Sequence, residues 1–335
     1  MAGLPRSRWA FVKLWLWFGF LVFVWALVFV LSLGSGYTEL NFADIWRQDS
    51  LTQTVVGEVR LPRALLATLL GAGLALAGGG IQGVFRNPLA DPALIGISGG
   101  AALFAAIYIV FVSQIDFSLL GLSGSAFLGG LIATLVVLVI GGRQPDLSTI
   151  LLAGIAINAI CLAGVGLMSY LAPDQTLRSV SFWALGSFNH VGWAEVTVGL
   201  LVIPAMIRLI SLSLVLDVLI LGDQEAAHLG VSVIPRRIEV ILWSALITGI
   251  SVSLVGIIAF VGLIVPHLVR MTFSAKHVVV LPFSAIIGGG LLVAADLLSR
   301  SLLAPVELPV GIVTTLLGAP VFVILVARWS KGLWL

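Results

Sequence analysis

The sequence predicts an all-α membrane protein: one bundle of ten spanning helices with both termini in the cytoplasm. Three observations carry this reading. Hydrophobic residues make up 60% of the 335 positions and charged residues 10%, where a soluble domain carries about 25% charged residues. Apolar runs of roughly 20 residues recur from end to end, long enough as helices to cross a hydrocarbon layer of about 30 Å. Both ends are basic, with Arg6, Arg8 and Lys13 at one and Arg328 and Lys331 at the other. Basic flanks stay inside, so the number of spans is even.

The first apolar run, Lys13 to Leu33, has no clear small-residue cleavage site after it and reads as a retained span. Further spans are expected near 63–82, 93–112, 120–140, 148–171, 193–212, 238–256, 258–269, 278–298 and 309–328, the first covering 12–33. The stretch 238–269 is ambiguous: its 32 residues are too many for one ordinary span and too few for two full ones. Gly249, Gly256 and Gly262 offer places to turn, and the parity of charge selects two spans. With ten spans the cytoplasmic side collects 12 of the 17 basic residues, including Arg86, Arg143, Arg208, Arg236, Arg237, Arg270 and Lys276. Arg47, Arg60, Arg63, Arg178 and Arg300 fall outside and need reasons.

Residues 1–335 read as a single transmembrane domain, with no soluble domain or charged tail. The lone cysteine, Cys161, excludes an internal disulfide framework, and a net charge of +2 implies no nucleic-acid partner. Ala67, Gly71, Ala75 and Gly79 repeat every four residues on one helix face, and Gly288 to Gly290 thin another span. Small residues in such rows let helix backbones approach closely. They serve bundle packing, or some of them line a pathway.

Four constellations stand out. Arg60 and Arg63 flank Pro62 at the start of the second span, where proline is tolerated. Positive charge there opposes the helix dipole at roughly 0.3–1 kcal/mol each, offset in part by Glu58. The groups either snorkel to lipid headgroups or dock an acidic external partner, and Arg300 joins them unless it only pairs with Asp296 one turn back. In Arg86-Asn87-Pro88-Leu89-Ala90-Asp91-Pro92, Asp91 caps the third span with proline at its first position. Gln82 and Asn87 remain polar candidates near the cytoplasmic mouth. The segment Leu221-Gly222-Asp223-Gln224-Glu225-Ala226-Ala227-His228-Leu229-Gly230 reads as a short polar helix capped by Asp223, between two glycines. It suits packing on another protein, with a solvated connector as the plain alternative. In the fourth, Pro266 ends or kinks the short eighth span and leaves His267 and Arg270 at the inner interface.

These segments together resemble the permease subunits of type II ATP-binding-cassette importers, the iron-chelate, haem and cobalamin uptake family. The matching stretches are RLPR at Arg60, Gln82, RNPLADP at Arg86, the LG-x-x-x-A-x-x-LG loop at Leu221, FVGLIVPHLVR at Phe260, AADLLSR at Ala294 and ELPVGIVTTLLGAPVF at Glu307. They keep one order over residues 60–322. The resemblance implies a homodimer in the bacterial inner membrane, its pathway along the two-fold axis. It implies that residues 222–230 couple to cytoplasmic ATPase subunits, two per dimer, and that Arg60, Arg63 and Arg300 receive a periplasmic substrate-binding protein. Gln82, Asn87, Asn158, Pro266, His267 and Arg270 are the candidates for pathway or gate. One departure stands out: Ser274-Ala275-Lys276-His277 lacks the acidic residue that such permeases usually carry in that turn.

The wording DPALIGISGGAAL is similar to the haem-permease branch, so haem is the expected cargo, with a ferric siderophore or cobalamin as alternatives. Met168, Tyr170 and His190 are able to ligate haem iron, although packing or interface anchoring accounts for each. No G-x-x-x-x-G-K-[ST] phosphate loop is present. The chain is therefore expected to bind no cofactor and to perform no enzymatic step, leaving ATP and magnesium to the partner subunit. The main rival is an ion-coupled secondary transporter, which needs acidic or other polar groups deep in the membrane. Asp116, Asp146, Asp174, Asp217, Glu239 and Asp296 all fall near span ends, which argues against it. A membrane enzyme is disfavoured by the scattered histidines.

Overall fold

The structure, a computed structural model, describes residues 6–35, 53–112, 119–142 and 146–330. Arg47, Asp116, Arg143 and Lys331, which enter the arguments from sequence, lie outside them. The first helix, α1, covers Arg6–Gly34. A wide π-type turn, Val55–Arg60, leads into α2, Leu61–Val84. Then come α3 (Ile97–Ile107), α4 (Leu119–Gly141), α5 (Leu147–Leu171) and the short α6 (Asp174–Ala184). The sixth expected span is two helices, α7 (Trp193–Gly199) and α8 (Val202–Ser211), followed by α9 (Ser213–Leu219) and α10 (Asp223–His228). The chain closes with α11 (Val233–Val255), α12 (Val261–Thr272), α13 (His277–Ser301) and α14 (Val310–Ser330).

Among the described residues, seven helical stretches are long and apolar enough to cross a membrane. Three shorter apolar helices, Ile97–Val112, Val261–Thr272 and Val310–Leu325, stand where the third, eighth and tenth spans were expected. The ambiguous stretch is thus two helices. Gly256 at φ 75° ends α11, and Phe260, itself left-handed at φ 70°, starts α12. Pro266 does not end α12, which runs on to Thr272. Proline has no N–H to give the carbonyl four residues back, here that of Gly262. That carbonyl faces α2 so closely that a Cβ on Gly78 would lie 1.8 Å from its oxygen.

The bundle is organised around α2, whose residues from Leu66 to Val84 are buried apart from the half-exposed Thr68 and Leu69. Lipid tails are as apolar as leucine, so burial alone does not hold helices together here and close packing must. The ladder Ala67, Gly71, Ala75, Gly79 faces α13. A Cβ on Gly71 would sit 2.3 Å from the Gly288 carbonyl oxygen, and one on Gly288 would sit 2.5 Å from the Ala75 Cβ. The packing reading of these glycines therefore holds. Gly290 opens the other side of α13 to Trp25 of α1, whose indole Nε1 donates to Thr68 Oγ1 at 3.3 Å. A second glycine crossing joins α3 to α4, where Cβ atoms on Gly100 and Gly129 would each lie 2.3 Å from the other's carbonyl oxygen.

Asp91 caps as expected, its carboxylate accepting from the Ala93 N–H at 2.8 Å, but the helix it starts is a single 3-10 turn, Pro92–Ile95. Gly96 at φ 88° then restarts the chain as α3. The break leaves backbone groups that Asn158 of α5 satisfies. Its Oδ1 accepts from the Gly99 N–H at 3.1 Å and its Nδ2 donates to the Ala93 carbonyl at 2.9 Å.

Gly71→Ala should destabilise the protein by about 1–3 kcal/mol, because the methyl group meets backbone rather than a movable side chain. Gly166→Ala on α5, with open space around it, should be neutral or slightly stabilising. Thermal unfolding in one detergent compares the two.

Candidate functional site

Antiparallel packing of α2 on α13 gives the pair two charged ends. At one end stand the three exceptional arginines. Arg63 donates from Nε to Asp296 Oδ1 at 2.8 Å and from a terminal nitrogen to Glu307 Oε2 at 2.9 Å. Arg300 Nε lies 3.3 Å from the other oxygen of Asp296. Arg60 donates to the carbonyls of Leu33 and Gly34, both at 2.9 Å, and Arg300 donates to those of Ser32 and Ser35 at 3.1 and 3.2 Å. These four carbonyls end α1. The last carbonyls of a helix lack partners within it and carry the negative end of its dipole, so cations settle there. Arg60 and Arg300 thus stabilise the end of a neighbouring helix, a role that sequence alone did not suggest.

All three arginines are buried, yet Glu307 keeps about a third of its side chain exposed. Asp296 thus lies between Arg63 and Arg300, and Glu307 adds a second carboxylate to Arg63. The charges that meet Arg63 come from Asp296 and Glu307, whereas Glu58 is exposed. A cavity of about 650 Å³ opens beside Glu307, lined also by Trp183, Ser187, His190 and Glu195. Of the candidate haem ligands only His190 lines it; Tyr170 is 86% exposed and Met168 packs on an apolar cluster.

The opposite end gathers most of the remaining candidates. Gln82 is buried; its Nε2 donates to the Leu263 carbonyl at 2.9 Å and its Oε1 accepts from Arg270. Arg270 also donates to the Gly79 carbonyl at 3.3 Å and to His277 Nε2 at 3.0 Å. His277 in turn gives its Nδ1–H and its backbone N–H to Asp217 Oδ1, both at 2.7 Å. The turn at 274–277, which has no acid of its own, thus has an acidic neighbour from α9, 60 positions earlier. Asn87 closes its own turn, its Oδ1 accepting from the Leu89 N–H at 2.9 Å. His267 is half-buried, and its Nδ1 meets no hydrogen-bond partner among the described residues.

The polar loop does form a short helix, α10. Its N-cap is Gly222 at φ 125°, and Asp223 is not the cap. The Asp223 carboxylate instead ties two other elements to α10, accepting from Arg86 and from Arg237 of α11 at 2.8 and 3.0 Å. Desolvation pulls the other way, but these bonds hold the Asp223 carboxyl below its ordinary range. Ala226 is the buried residue of the helix, while Gln224, Glu225, Ala227, His228, Leu229 and Gly230 are exposed. Leu221 and Leu229, at 59% and 62% exposed, leave an apolar rim around it.

Removing Asp296 strands two buried cations, so Asp296→Ala should cost on the order of 3–5 kcal/mol. The half-exposed pair should matter less, with Glu307→Ala costing about 1 kcal/mol or below. Thermal unfolding of both variants in the same detergent measures the difference.

The FecCD transport family matches residues 23–328. The hemin transport system permease protein HmuU of Yersinia pestis is 42% identical over 317 residues, covering 91% of this chain and 94% of the relative. The vitamin B12 import system permease protein BtuC of Vibrio cholerae is 41% identical over 303 residues, covering 90% of each. Among solved structures, a metal-chelate type ABC transporter in an inward-facing conformation superposes with a TM-score of 0.83 at 35% identity, over 93% of this chain and 98% of that one. The molecule is accordingly a multi-pass permease subunit of an ABC importer in the bacterial inner membrane, with ATP hydrolysis left to a separate subunit. The chain belongs to the FecCD transport family.

Proposed function

We propose that the chain imports an iron-containing chelate, haem foremost, from periplasm to cytoplasm by alternating access. It does so as a homodimer of ten-span subunits with both termini cytoplasmic and the pathway on the two-fold axis. Two ATPase subunits hold ATP and magnesium, and this chain holds no cofactor. The observation that carries the reading is the layout of the α2–α13 pair. One end bears a cluster of three buried arginines, and the other bears a short, largely exposed helix with an apolar rim. An acidic surface of a periplasmic binding protein suits the first, and a groove of an ATPase suits residues 222–230 at the second. Haem is favoured by the relative named as a hemin permease and by the DPALIGISGGAAL wording. The relative named for vitamin B12 stands close behind, so cobalamin and ferric siderophores are the alternatives.

Docking at the first end draws on the field of the buried arginines rather than on free guanidinium groups, since Arg60, Arg63 and Arg300 are already engaged. Glu307 is the exposed member and holds the cluster's charge down. Gln82, Arg270, Pro266 and His267 meet where α2 and α12 close on each other, and there they serve as the inner gate. Asn87 and Asn158 are spent on a turn and on the broken start of α3, and their part in the pathway is to hold those shapes.

Uptake into proteoliposomes, with the partner ATPase and binding protein, should be ATP-dependent and highest for haem. Preferred uptake of cobalamin would reassign the cargo, and accumulation driven by an ion gradient without ATP would reject the importer reading. Glu307→Gln should tighten docking of the binding protein, and Arg60→Glu with Arg63→Glu should abolish it. Retained co-purification of the ATPase with the double variant separates lost docking from misfolding.

A further inference from the structure

Half-buried Asp217 and fully buried His277 belong to neither the docking end, the inner gate nor the exposed helix. Asp217 sits on α9, six positions before Asp223 and the start of α10. His277 is the first residue of α13, with no exposed surface. Both ring nitrogens are used. Nε2 accepts from Arg270, so Nδ1 carries the proton that it donates to Asp217. Arg270 passes the chain on to Gln82 and the Gly79 carbonyl of α2. Four side chains from α9, α13, α12 and α2 thus form one hydrogen-bonded row.

The other flank of α9 is fixed as well. Arg86, just beyond α2, donates to the Leu219 carbonyl at 2.8 Å and to Asp223. Leu216 and Leu219 are buried between these ties, and Leu216 packs beside Gly83 of α2. A displacement of α10 is therefore not absorbed by a slack connector. It pulls on α9, and α9 is tied to α13 through Asp217 and to α2 through Arg86. A leucine at 217 would fill space, but it would not fix direction as a carboxylate with two donors on one oxygen does.

We propose that Asp217 and His277 are positioning residues of the import cycle. They hold α9 to the inner ends of α12, α13 and α2, so that movement of α10 on its ATPase reaches the helices whose outer ends carry the arginine cluster. This rests on the importer reading, and the test keeps the two apart.

The complete complex, reconstituted with its ATPase, is assayed for co-purification of the ATPase, basal ATP hydrolysis, and stimulation of hydrolysis and uptake by loaded binding protein. Asp217→Ala should still co-purify the ATPase, while stimulation and uptake per ATP fall about tenfold, within the usual span of coupling energies. Asp217→Asn, which keeps an acceptor oxygen, should restore most of both. Asp217→Ala combined with His277→Ala should be no worse than Asp217→Ala alone, because both changes cut one row. Full stimulation in Asp217→Ala, or losses that add in the double variant, would overturn the proposal. If Asp217→Ala fails to assemble, His277→Leu replaces it, since leucine offers neither the acceptor for Arg270 nor the donor for Asp217, and full stimulation there overturns the proposal equally. Wild-type complex that shows no stimulation by any loaded binding protein would reject the importer reading instead.

Discussion

The structure depends on how closely two backbones approach. Gly71 on α2 and Gly288 on α13 leave no room for a Cβ between them. In lipid no hydrophobic effect drives helices together, so association rests on packing and on polar contacts that only close helices can make. The short α2–α13 distance is what lets Arg63 reach Asp296 at one end and Arg270 reach both Gln82 and His277 at the other. Were the helices held apart by larger residues, both charged ends would come apart into single buried charges, which cost far more than paired ones.

Both ends of the pair use charge to complete a neighbour's backbone or to bind an adjacent element. Arg60 and Arg300 take the last carbonyls of α1, which would otherwise face the membrane edge without donors. Arg86 takes the Leu219 carbonyl, and Gln82 takes that of Leu263. These bonds make the ends stiff, and a stiff end transmits displacement. The side of α10 from Gln224 to Gly230 is exposed except at Ala226, and it is the side on which the proposed ATPase contact falls.

Much of this was legible in the sequence, for a physical reason. A hydrocarbon solvent imposes span length and composition on any chain that crosses it, so the helices fall close to their expected places. The glycine ladder was legible too, because its four-residue period directly expresses one helix face. The Asp91 cap is local and was read correctly. Breaks were harder: Gly199 and Pro204 bracket the turn near residues 200–201 that splits the sixth span, and Gly96 restarts α3, but spanning helices carry glycine and proline without breaking elsewhere, as α12 does at Pro266. The partners of charged groups were hardest. Arg63 meets residues 233 and 244 positions away, and Asp217 meets one 60 positions away. Helix periodicity relates neighbours three or four apart, which is why Asp296 was matched to Arg300 while its shorter bond goes to Arg63. The lack of an acid in the 274–277 turn is visible in sequence, and only the fold shows that Asp217 lies against it.

If the coupling proposed above holds, α2 and α13 move as one body between the arginine cluster at one end and the hydrogen-bonded row at the other. Spin labels at Leu65 near the outer end of α2 and at Val278 near the inner end of α13, both exposed, measure this by pulsed dipolar spectroscopy on the reconstituted complex. Motion as one body predicts that the 65–278 distance stays the same with and without ATP, while the distance from Leu65 to a label at Gln224 on α10 changes. A 65–278 distance that changes as much as the 65–224 distance would contradict it.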